Sequence, residues 1–157
     1  MNPMKKFLLI MSTSGYSPET VTHAIQKCKE NNAELLACYI IDAEIPEAVS
    51  SWMIYVGFMG DEPSEDYRNI VLEEYKDRAR ETLEELSELA KADNISIQVS
   101  ILEGGLLENT IAIAKKENVD LIVINKTKRT DFSRLLHGSV IEDLKKQAPC
   151  PVEVIDK

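Results

Sequence analysis

The chain has 157 residues, enough for one domain that removes roughly 70% of its unfolded surface from water on folding. With 44% apolar and 29% charged residues it is neither a disordered nor a fibrous sequence, and 27 acidic against 18 basic residues leave a net charge of −9. That balance argues against a general binder of nucleic acid or of an anionic membrane, since both need a cationic face.

The N-terminal MNPMKKFLLIM sets two lysines before an apolar run, but Phe7 to Met11 is shorter than the apolar core of a signal peptide, and the polar turn Ser12 to Ser17 follows it. It reads as a first strand, apolar throughout and so covered on both faces. No window reaches the roughly 18 apolar residues of a membrane span. Ser17 can cap a helix with Pro18 at its first position, Val21, Ala24, Ile25 and Cys28 mark its buried face, and Asn31 and Asn32 end it. ELLACYIID, Glu34 to Asp42, is a second strand.

Residues 66–92 predict a long helix, because Tyr67, Ile70, Val71, Tyr75, Ala79, Leu83, Leu86 and Ala90 fall three or four apart, opposite a Glu-rich face. Ile95 to Leu102 alternates as a strand, and Gly104-Gly105 leads into a helix carrying Leu107, Ile111 and Ala114. Asp120 to Asn125 is a fourth strand. Ser139-x-x-Glu142 is a capping box for a last helix, Val140 to Gln147, and Pro149 turns the chain into a final strand, PVEVI. Strands alternating with helices predict one α/β domain over residues 1–157, a three-layer, Rossmann-like fold with a five-stranded parallel sheet and helices on both faces. Ligands of such sheets bind beyond the carboxyl ends of the strands, where strand order reverses. Those ends are Met11 to Gly15, Ile40 to Asp42 and Asn125 to Lys128.

The connection after the second strand is long and carries Trp52, Met53, Tyr55, Val56, Phe58 and Met59. Helical spacing of Val49, Trp52, Met53 and Val56 favours a short helix packed on the sheet edge or on the long helix; a lid or a protein-partner patch over 49–59 is the alternative. The three cysteines, Cys28, Cys38 and Cys150, are odd in number and lack metal spacing, which suits free, apolar-like thiols in a reducing cytoplasm. His23 and His137 have no motif partner and read as structural or solvated.

Lys126, Lys128, Arg129 and Arg134 crowd one loop with only Asp131 opposing them. Cations ahead of a helix N-terminus mark a phosphate-bearing ligand, because unpaired backbone N–H groups and the helix dipole point there. A solvated loop balancing the acidic long helix is the equal alternative.

From KFLLIMS through LLACYIID and VDLIVINK to SRLLHGSVIEDLKKQAPCPVEVI, the chain resembles the universal stress protein family over almost its whole length. The resemblance implies the same five-stranded parallel fold. ATP-binding members share Gly-x2-Gly-x9-Gly-Ser/Thr, whose last positions match Gly138 and Ser139, followed by Val140; the two earlier glycines fall on Asn125 and Lys128. The family's acid at the end of the first strand falls on Ser12. By this resemblance Ile40 lines the base of a bound nucleotide, Ser139 faces phosphate, and Lys128 and Arg129 supply compensating charge. Lys128 forced to positive φ costs roughly 1 to 2 kcal/mol, whereas Asn125 tolerates that region. The expected protein is thus a cytoplasmic, non-catalytic regulator with a degenerate or modified pocket for ATP or AMP, with Mg in the case of ATP, and a homodimer through the C-terminal strand. The alternatives are a genuine ATP-binding stress protein and, on the weak match of Ser14-Gly15-Tyr16-Ser17 to a pyrophosphatase loop, an ATP-using adenylating or hydrolysing enzyme of related fold.

Overall fold

The computed structural model describes residues 4–13, 16–41, 63–126 and 140–155. Within them the chain runs β1 (Lys6–Ser12), α1 (Pro18–Asn31), β2 (Glu34–Ile41), α2 (Pro63–Ala92), β3 (Ile97–Glu103), α3 (Leu106–Lys116), β4 (Leu121–Asn125), α4 (Val140–Gln147) and β5 (Val152–Ile155). All four strand pairings are parallel, in the order β3-β2-β1-β4-β5. The chain builds outward from β1 to β3, then returns to start again on the other side of β1. That reversal opens a crevice between the carboxyl ends of β1 and β4.

The continuous apolar runs become central strands because each must cover two faces. Leu35, Ala37, Tyr39 and Ile41 of β2 pack on one side with α1 and α2, whereas Leu36, Cys38 and Ile40 pack on the other with α3 and α4. Leu8, Leu9, Ile40 and Ile122 lose essentially all contact with water. Each such side chain stabilises the fold by roughly 1.5–3 kcal/mol relative to exposure.

Local signals set the ends. Ser17 accepts a hydrogen bond from the Thr20 N–H at 3.1 Å with Pro18 at the first helical position, and Asn32 ends α1 in the left-handed region at φ 50°. Asn94 and Asn118 do the same after α2 and α3, at φ 58° and 52°. The helix expected from residue 66 begins at Pro63, and the strand expected from Ile95 begins at Ile97, since Ile95 instead donates its N–H to the Ala90 carbonyl and closes α2.

One stripe position differs from expectation. Ile70 is 59% exposed, while Leu72 packs on the core beside Tyr75, Ala79, Leu83 and Leu86. Nine residues at about 100° each place Ile70 opposite Ala79, so three-and-four spacing that holds from turn to turn drifts off the buried face over the length of α2. Cys28 and Cys38 are buried and Cys150 is half-buried; all three are free thiols.

Candidate functional site at the β1–β4 crevice

Ser12 is the last residue of β1 and is buried at 6% exposure; it lies in register with Ile40 of β2. Thr13 continues the contact, its N–H donating to the Ile40 carbonyl at 3.2 Å. Ile40 itself has no exposed surface and packs with Leu8, Cys38 and Ile122 beneath the rim.

On the other flank Asn125 ends β4, with Ile10 and Ile124 in register just below it. Ser12 and Asn125 therefore stand on neighbouring strands at the same sheet end. Asn125 keeps strand geometry, paired with Ile155, and positive φ among the described non-glycine residues falls only on Asn32, Asn94 and Asn118. The position occupied by a glycine in the family pattern thus needs no left-handed backbone here.

The Asn125 side chain turns to the start of α1. Its Oδ1 accepts from the Thr20 hydroxyl at 3.1 Å, with Ser17 Oγ at 3.4 Å, and the two hydroxyls are 2.7 Å apart. Thr20 is fully buried, so its hydroxyl requires such an acceptor. A buried polar cluster consequently ties the first turn of α1 to the crevice. Ser17 was legible only as a helix cap, and Thr20 carried no motif; the sole sequence signal was a pair of hydroxyls three apart at the cap and in the first turn of α1.

Val140 is the half-buried first residue of α4, whose opening turn carries Glu142 and Asp143. Lys128, Arg129, Gly138 and Ser139 lie outside the described residues, as do Ser14, Gly15, His137 and the 49–59 segment. The part of the site that can be assembled is therefore the strand half: Ser12, Thr13 and Asn125 at the strand ends, with Ser17 and Thr20 buried behind Asn125 and bonded to it. Lys126 follows directly, its N–H held by the Ile155 carbonyl at 2.8 Å.

Burial pushes the Cys28 thiol up to about 12. Burial also raises Cys38, against a smaller opposing effect of its hydrogen bond with Ser100, and raises Cys150 with help from the Asp120 carboxylate. All three stay protonated at neutral pH. No group of three or more His, Cys, Asp or Glu side chains among the described residues is arranged to hold a metal, and no helix there is long and apolar enough to cross a membrane.

His23, which no motif had partnered, contacts Glu153 of β5 through Nε2, and Lys27 Nζ lies 3.9 Å from the same carboxylate. The only charge on β5 is thus directed at α1.

Comparison with known proteins agrees with this architecture. The model of the universal stress protein family matches residues 3–156. A universal stress protein of Methanocaldococcus jannaschii is 32% identical over 156 residues, covering 99% of this chain and 84% of the relative. Among solved structures, universal stress protein UspA from Lactobacillus plantarum superposes with a TM-score of 0.73 at 19% identity, covering 98% of this chain and 99% of the other. The universal stress protein of Archaeoglobus fulgidus solved in complex with dAMP has a TM-score of 0.57 at 14% identity, with 99% of both chains covered. A whole-length family match, a relative above 30% identity and the same five-stranded parallel sheet place the chain in the universal stress protein family.

Proposed function

We propose that the protein is a cytoplasmic, non-catalytic stress-response regulator that binds an adenine nucleotide, AMP or ATP with Mg, in a modified form of the family pocket at the β1–β4 crevice. The observation that carries this reading is the placement of Ser12 and Asn125 on adjacent strand ends at the topological switch, where ATP-binding members keep an acid and a glycine. The relative solved with dAMP supports an adenine nucleotide as the ligand class.

Replacing a carboxylate by the Ser12 hydroxyl exchanges a charge-assisted hydrogen bond for a neutral one, roughly half as strong. Asn125 spends its carboxamide oxygen on Thr20. The hydroxyl at Ser12 weakens the grip on the adenosine end, and the Asn125 amide oxygen, already engaged, does not restore it. Cationic Lys128 and Arg129 offset this by attracting phosphate, Ser139 faces phosphate as the family resemblance implies, and Val140, the first residue of α4, offers a helix-terminal N–H.

Calorimetric titration with AMP and with ATP-Mg tests the reading. Micromolar or weaker binding, lost in Lys128→Glu, is the expected result; submicromolar ATP affinity would establish an unmodified ATP-binding member instead. Steady release of phosphate or pyrophosphate from ATP above background would replace the regulator with an enzyme.

The same reading includes a homodimer through β5, whose outer edge ends the sheet and bears Glu153 as its only charge. Light scattering across a concentration series checks it. A monomer at every concentration contradicts it.

A further inference from the structure

The opposite end of the sheet carries a second open edge. Among the described residues β3 pairs only with β2, and the ladder shows which of its groups are spent: Leu35 donates its N–H to the Ser96 carbonyl, and Gly104 donates its N–H to the Ile41 carbonyl, both at 2.9 Å. In a parallel ladder these roles alternate, so the even-numbered residues between them serve β2. Ile97, Val99 and Ile101 therefore direct N–H and C=O outward. Val99 is 48% exposed.

Natural edges are usually blunted by lysine, proline or a bulge. β3 reads IQVSILE, with no lysine or proline and its one charge at the very end. Beside this edge lies a groove of about 370 Å³, between Leu36, Ser100 and Leu102 on the sheet and Asn109, Ile113 and Lys116 on α3. An edge strand flanked by a helix across an apolar groove is the geometry in which extended peptides add to a sheet.

The charges set a direction. α3 starts next to the carboxyl end of β3, and its groove-lining residues run from Asn109 to Lys116 and Glu117, so Glu108, one residue before them, stands toward one end and Lys116 at the other. Neither takes part in an ion pair among the described residues, whereas the neighbouring Glu117 is held by Lys6 at 3.5 Å. A strand running antiparallel to β3 meets Glu108 with its N-terminal end and Lys116 with its C-terminal end.

We propose that the β3 edge and the β3–α3 groove take an extended segment of a partner protein as an added antiparallel strand, apolar at alternate residues, basic at its start and acidic at its end. Main-chain hydrogen bonds to Ile97, Val99 and Ile101 hold the segment, its apolar side chains fill the groove, and its terminal carboxylate meets Lys116. The site is independent of the nucleotide crevice.

Fluorescence anisotropy tests this with a labelled peptide as long as the seven residues of β3, in which valine alternates with threonine between an initial lysine and a final glutamate. The expected result is saturable binding that weakens by roughly tenfold or more in Val99→Pro, a substitution tolerated at an edge because the lost N–H points outward. Lys116→Glu is expected to weaken this probe and to strengthen one with the two charges exchanged, without relying on the fold of the proline variant. Absence of saturable binding at millimolar probe, equal binding by wild type and Val99→Pro, or indifference of Lys116→Glu to charge order would each overturn the proposal.

Discussion

Thr20 donates its hydroxyl to the carboxamide oxygen of Asn125 across 3.1 Å, joining the first turn of α1 to the last residue of β4. Removing the acceptor leaves the fully buried Thr20 hydroxyl with Ser17 Oγ, 2.7 Å away, and opens a gap beside both. Asn125→Ala is expected to cost about 1–3 kcal/mol, and Thr20→Val, which leaves the amide near the rim, about 0.5–1.5 kcal/mol. Urea denaturation of both single variants and the double variant checks the pair: a coupling of at least about 0.5 kcal/mol is expected, and strict additivity would show the contact to be idle.

The thiol of Cys28 makes stability fall at high pH. Its folded value of about 12 lies above the ordinary thiol value of 9.0, so the folded state holds the proton more tightly. This contribution is complete below pH 9 and is lost as pH rises toward 12. Over that window the loss is on the order of 4 kcal/mol. Denaturation midpoints measured through this range should decline more steeply in wild type than in Cys28→Ala, and parallel declines would contradict the assignment.

Gly104 sits at φ 121°, and a Cβ there would come 3.2 Å from the Asn109 amide nitrogen, which bonds the Glu103 and Gly105 carbonyls. Gly104→Ala is expected to cost about 1–3 kcal/mol through backbone strain. Thermal unfolding should show a clear drop for this variant. Gly105→Ala lies at φ −69°, and there a Cβ would displace only the flexible Glu108 carboxyl, so its effect should be much smaller.

The contacts of Glu153 with His23 and Lys27 involve side chains about one-third exposed, which limits their worth to about 0.2–1 kcal/mol. Glu153→Ala should lower stability by no more than that at low salt, and by less as salt rises. A loss of several kcal/mol would show that the carboxylate supports β5 in some larger way.

Much of the architecture was legible because it depends on local chemistry. Ser17-Pro18 and Asn32 mark the ends of α1, and fully apolar runs such as FLLIM announce strands covered on both faces. The drift of Ile70 away from the buried stripe shows where such reading fails, since turn-to-turn spacing does not hold phase over a 30-residue helix. At the crevice, the family pattern pointed to Asn125 for its backbone freedom; the structure uses its side chain instead, for a contact spanning 105 residues.

By itself the sequence determined the alternation of strands and helices, the caps of α1, the free thiols and the family, because hydrophobic period, turn chemistry and composition act over a few residues. Tertiary structure alone decided that Thr20 meets Asn125, that His23 meets Glu153 and that β3 keeps an open edge beside a groove. Those relationships arise from strand order, and strand order is settled by how whole faces pack, which no local stretch encodes.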